Sequence, residues 1–189
     1  MAAAALAIAA VATIGFNYYN TYKRDNVVKE TVLLVYKHYT YDSLMNAIES
    51  SGAIENLKTF RKAAAKRELE KHFEPGRYTL KPGQSNQQII RIIANSWQEP
   101  MRFTLRSHIR TLGKLSGFMG NNFEADSAEF AKVLLNDSLI KAMGFTRETF
   151  IGMFIPNTYE LYWTEAPENI IKRLHREYNA FWNENRKAK

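Results

Sequence analysis

The sequence predicts an α+β protein in three parts: an apolar N-terminal membrane anchor, a small α+β domain, and a mainly helical α+β domain that is incomplete at residue 189. Three observations predict this. Residues 2–16 are almost wholly apolar and Ala-rich, residues 31–97 alternate β-branched runs with helical periodicity, and residues 107–189 carry short capped helices around one aromatic stretch. The expected boundaries are 1–24 for the anchor, 31–106 for the first domain and 107–189 for the second.

The 15 apolar residues 2–16 fall short of the roughly 20 that a spanning helix needs, but Tyr18, Tyr19 and Tyr22 extend them as an interfacial belt. A signal peptide would carry a basic leading region, which this segment lacks, so a single-pass anchor trimmed at its start is the expectation. Against it, Lys23 and Arg24 follow the span, on the side the positive-inside rule gives to the cytoplasm.

In the first domain, Thr-Val-Leu-Leu-Val-Tyr at 31–36 reads as a strand. Residues 40–49 carry Leu44, Met45 and Ile48 at helical spacing, and Gly52 closes that helix. Residues 55–72 predict one long amphipathic helix with Leu57, Phe60, Ala64 and Leu69 inward. Two Pro-Gly pairs bracket a short strand at 77–80, and Ser85 is placed to cap a helix over 86–97 with Ile89, Ile90, Ile92 and Ile93. A strand at 101–106 leaves the domain.

In the second domain short helices are expected at 109–119, 127–135, 137–143 and 146–150. Pro167 opens a last helix that runs into the tail with Ile170, Ile171, Leu174, Tyr178, Phe181 and Trp182 on one side. So wide an apolar stripe needs a partner, and the natural protein is expected to continue.

The formal net charge of +7 favours an anionic surface, whether lipid, acidic polymer or nucleic acid. The basic residues are dense only at 61–71 and 186–189, without the aromatic interleaving of a single-strand binder, so no nucleic-acid partner is expected. With no cysteine, disulfides and thiolate metal sites are excluded. His38, His72, His108 and His175 have no metal-ligand spacing, and neither a phosphate loop nor a nucleophile elbow is present. No metal or cofactor is expected.

The stretch 150–163, Phe-Ile-Gly-Met-Phe-Ile-Pro-Asn-Thr-Tyr-Glu-Leu-Tyr-Trp, interrupts an apolar run with a Pro-Asn-Thr turn signal. It reads either as a pocket floor beside sugar-stacking aromatics or as a plain loop whose Asn and Thr cap the next turn.

These features in order resemble the YceG-like family of membrane-anchored endolytic murein transglycosylases, also called MltG. The segment Pro-Gly-Arg-Tyr-Thr-Leu-Lys-Pro-Gly-Gln-Ser before an Ile-rich helix resembles the family's LysM-like subdomain, and Gly-Met-Phe-Ile-Pro-Asn-Thr-Tyr resembles its Glu-Gly-x-x-x-Pro-Asp-Thr-Tyr signature. The resemblance implies a LysM-like first domain and a catalytic-type second one, on the periplasmic side of the inner membrane. It implies peptidoglycan glycan strands as substrate and peptidoglycan synthases as further partners.

In the family pattern a catalytic glutamate precedes the glycine, where this chain has Ile151, and an aspartate stands where this chain has Asn157. A lytic transglycosylase needs one protonated carboxyl group to protonate the glycosidic oxygen; once ionised, that group helps the muramic acid 6-hydroxyl close onto the anomeric carbon. Glu160, among Tyr159, Tyr162 and Trp163, is the first candidate for that acid, and Glu148, three residues before Ile151, the second. Their plainer readings are a solvated carboxylate and a first-turn helix acid; further options are an acid beyond residue 189, or no catalysis. Asn157, Thr158, Tyr159, Tyr162 and Trp163 would line the sugar site. The same residues also fit a non-catalytic peptidoglycan-binding scaffold.

Overall fold

The computed structural model describes residues 2–183 and Arg186, so most of the basic run at 186–189 lies outside the described residues. Two compact units divide between Glu99 and Pro100.

The first unit begins with helix α1, Ala2–Tyr18, which continues through a π-helical turn, Tyr19–Lys23. Together they make one 22-residue helix, Ala2–Lys23, long and apolar enough to cross a membrane. At 1.5 Å per residue the whole helix is about 33 Å long and its apolar part, residues 2–16, about 22 Å. The apolar count stopped at Phe16, but the polar turn after it stays helical and brings Thr21 into the folded unit, 5% exposed.

Strands β1 (Thr31–Val35) and β2 (Gly76–Leu80) pair antiparallel, with Leu33 opposite Tyr78. Helix α2 (Tyr41–Ser51) starts at Thr40, whose hydroxyl accepts from the Ser43 N–H at 3.2 Å, and ends at Gly52 in the left-handed region, φ 59°. Helix α5 (Asn86–Ala94) starts at Ser85, whose N–H donates to the Gln88 side chain at 2.8 Å, and is three residues shorter than the sequence predicts. Leu33, Val35, Leu44, Ile48, Phe60, Tyr78 and Ile89 centre the core.

The single helix expected over 55–72 is two: α3 (Leu57–Lys66) and α4 (Leu69–His72), broken where Glu68 takes φ 49°. Helical geometry supplies the reason. At 100° per residue, Leu69 on an unbroken helix would lie about 180° from Phe60. The left-handed Glu68 turns the chain so that both are fully buried.

Gly76 and Tyr78 account for the Gly-Arg-Tyr of the first Pro-Gly segment. The Tyr78 ring folds back over Gly76, where a Cβ would lie 2.6 Å from the ring, and its hydroxyl donates to the Glu74 carbonyl at 2.9 Å. Only glycine leaves room for that ring.

In the second unit, β3 (Met101–Leu105) pairs antiparallel with β4 (Asn157–Leu161). This corrects two expectations. The strand at 101–106 belongs to this unit and not to the first domain, because its inward residues Phe103 and Leu105 join the second core; and Asn157 begins a strand where a turn was expected, because β3 supplies its ladder. Helices α6 (Leu112–Gly120), α7 (Ser127–Leu134) and α8 (Asp137–Ala142) cover the core with α9 (Pro167–Phe181). Asp126 caps α7 in a reciprocal box with Glu129. The helix expected at 146–150 is a turn in which Thr146 and Thr149 bond each other, followed by a 3₁₀ turn, Phe150–Met153. On α9, Ile170, Ile171 and Leu174 are buried, whereas Phe181 and Trp182 are exposed.

Candidate functional site

Strand alternation sorts the residues of the aromatic stretch. Tyr159 and Leu161 face the core beside Phe103 and Leu105, while Thr158 and Glu160 face outward beside Thr104 and Arg102. The Tyr159 hydroxyl donates to the Ile155 carbonyl at 2.6 Å, and burial, with a smaller contribution from Glu177, pushes the pKa of that hydroxyl up. Trp163 is 4% exposed and so buried with Tyr159, which leaves Tyr162 as the accessible ring of the three aromatics predicted to line the site.

The polar residues of the turn signal are occupied locally. Asn157 is exposed, its side-chain oxygen accepting from the Thr158 N–H at 2.8 Å, and the Thr158 hydroxyl shares a 2.9 Å hydrogen bond with Thr104.

Glu160 lacks the apolar setting expected for it, and Glu148 lies on an exposed turn. Glu160 is exposed on the outer face of β4, across the sheet from Tyr159, so that ring does not desolvate it. It lines an open cleft of about 500 Å³ with Tyr162, Glu165, Asn169, Lys172 and Arg176. Glu148 is exposed, and a hydrogen bond from the Thr146 side chain holds its carboxyl below the usual carboxylate value. That direction favours the ionised form, the opposite of what a proton donor needs.

Ile151 sits on the 3₁₀ turn between buried Phe150 and Met153. It lines a cleft of about 260 Å³ whose polar side chains are Arg106, Ser107 and Arg110 and whose apolar wall includes Leu105, Phe154 and Pro156. No carboxylate is among the lining residues. A cleft lined by two arginines and apolar residues can hold a carboxylate-bearing group, but arginine cannot donate a proton to a glycosidic oxygen at neutral pH. Arg106, Ser107 and Arg110 were not singled out from sequence; the trace available was the run Arg-Ser-His-Ile-Arg between a strand and a helix. The β3–β4 pairing carries that loop to Ile151 from more than 40 positions away.

A model of the YceG-like family matches residues 33–189. No curated protein matches the chain. Among solved structures, the 2.6 Å crystal structure of the yceG-like protein lmo1499 from Listeria monocytogenes is similar, with a TM-score of 0.44 and 16% identity. The match covers 84% of this chain and 57% of that one, so the chain spans a little over half the length of that protein.

Proposed function

The chain belongs to the YceG-like family, and from that premise we propose that it is the membrane-anchored, strand-holding part of an endolytic murein transglycosylase. The substrate is nascent peptidoglycan. Cleavage between N-acetylmuramic acid and N-acetylglucosamine leaves 1,6-anhydro ends and terminates the strand. On this reading Ala2–Lys23 is a single pass through the cytoplasmic membrane, the folded units lie on its outer side, and peptidoglycan synthases are neighbours at the strand.

The observation that supports the reading is the cleft beside Ile151, lined by Arg106 and Arg110 together with apolar residues and by no carboxylate. Muramic acid bears a lactyl group that leads into a peptide rich in carboxylates, and arginine forks match such groups in geometry and charge. These residues hold the strand. The lining of this cleft offers no general acid.

Ile151 itself favours a second reading, a member that binds strands without cutting them. One experiment separates the two. Purified glycan strands are incubated with this chain and with a longer fusion in which the C-terminal part of a longer YceG-like protein follows residue 189, and the products are scanned by mass spectrometry for 1,6-anhydro ends. Strand retention by this chain, with anhydro ends only from the longer protein, supports the transglycosylase. Retention by both without anhydro ends supports the scaffold, and no retention by either refutes both.

A further inference from the structure

We propose that the first unit carries a seat for the phosphate of an anionic lipid headgroup, in the cleft where helix Ala2–Lys23 meets α3. The cleft has a volume of about 450 Å³ and is lined by Asn17, Asn20, Arg24, Asn56, Lys58 and Lys62. It belongs to neither site discussed above.

The helix enters the folded unit without a flexible linker. Asn86, fully buried, donates from Nδ2 to the Thr21 carbonyl at 2.9 Å, and its Oδ1 accepts from Asn26 at 2.6 Å. The Arg67 guanidinium lies 5.5 Å over the Tyr22 ring. The last helical turn is thereby fixed against α3 and α5. Tyr18 and Tyr19, 48% and 56% exposed, mark the belt level that aromatic residues take at a membrane interface. Asn17 and Asn20 share that level on the same helix, so the cleft opens at headgroup depth.

Its charge suits a phosphate. Lys58 and Lys62 are one turn apart on α3 and exposed, and no ion pair engages either among the described residues. By contrast Arg61, on the neighbouring face, is paired with Glu49 at 2.8 Å. Asp25 and Glu55 also line the cleft, and with Arg24 the three cations outnumber them. Basic side chains at this depth attract anionic lipid, and the asparagine amides add hydrogen-bond donors for phosphate oxygens.

The proposal rests on the reading of Ala2–Lys23 as a membrane span, and the test separates the two. Native mass spectrometry follows the full chain in detergent micelles titrated with phosphatidylglycerol, phosphatidylcholine or inorganic phosphate, beside a Lys58→Gln/Lys62→Gln variant and a Lys132→Gln control. Circular dichroism checks that each is folded, and alkaline carbonate extraction of membranes containing the chain reads the anchor. The expected result is one phosphatidylglycerol bound at least about tenfold more tightly than phosphatidylcholine, with that preference lost in the double variant and kept in the control. Equal binding of the two lipids, or a preference that survives in the folded double variant, overturns the seat. Binding of inorganic phosphate as tight as that of phosphatidylglycerol overturns its assignment to lipid. A chain that carbonate releases while the preference persists removes the membrane span and leaves the seat standing.

Discussion

Asn26 and Asn86, sixty residues apart in the chain, share a 2.6 Å hydrogen bond between side chains that are 4% and 0% exposed. Each serves a second segment. The Asn26 side-chain Oδ1 accepts from the Asn56 N–H at 2.7 Å, and the Asn86 side-chain amide donates to the Thr21 backbone carbonyl at 2.9 Å. Replacing Asn86 by alanine removes both bonds: the buried Asn26 amide keeps only its 3.1 Å bond to the Asn56 carbonyl and the Thr21 carbonyl loses this donor, at a cost of roughly 2–3 kcal/mol. Thermal unfolding followed by circular dichroism should show the first unit melting roughly 10 °C lower or more.

Gly76→Ala drives a methyl group to within 2.6 Å of the Tyr78 ring. The ring is fully buried and cannot swing aside, so the substitution should cost about 1–3 kcal/mol in urea unfolding. A melting point within a degree of the parent would show that the ring does not cover Gly76 as described.

Burial pushes the Tyr78 hydroxyl from its ordinary 10.0 up to about 12. The folded state holds the proton more tightly than the unfolded state. The associated stability is therefore complete below pH 10 and is lost as pH rises towards 12. Ultraviolet titration should show one tyrosine ionising late, and Tyr78→Phe should remove that late step.

Glu68 is a non-glycine residue at φ 49°. Glu68→Gly relieves left-handed strain at the cost of an exposed ion pair to Lys71, which contributes little. The net expectation is a gain of about 0.5–1 kcal/mol and a rise of several degrees in melting temperature.

Local chemistry wrote the parts of this fold that the sequence could disclose. Thr40 and Gly52 bound α2, Ser85 opens α5, and Pro167 opens α9, each through a signal within a few residues. What escaped depends on distant partners. Asn157 becomes a strand residue because Leu105 lies opposite it, and the break at Glu68 exists because Leu69 must reach the same core as Phe60. The site divides the same way. Ile151 at the place of an expected acid was legible, but Arg106 and Arg110 reach it only through the β3–β4 register. Tyr159 and Glu160 are adjacent in sequence, and strand alternation puts them on opposite faces.

If Arg106 and Arg110 hold the strand, converting both to glutamine should weaken retention on insoluble peptidoglycan by about tenfold, since each exposed guanidinium contributes about 0.7 kcal/mol to an ion pair. Both are exposed, so the variant should melt like the parent. Co-sedimentation across a salt series measures the loss, which should shrink as ionic strength rises.

The most direct measurement is digestion of purified glycan strands by this 189-residue chain itself, beside its Glu160→Gln and Glu148→Gln variants, with end groups read by mass spectrometry. The account predicts that all three retain strands and that none generates 1,6-anhydro ends, because the cleft at Ile151 has no carboxylate in its lining. Anhydro ends made by the parent chain and abolished in either variant would contradict it, and would place the general acid on the outer face of β4 or at the Thr146 turn.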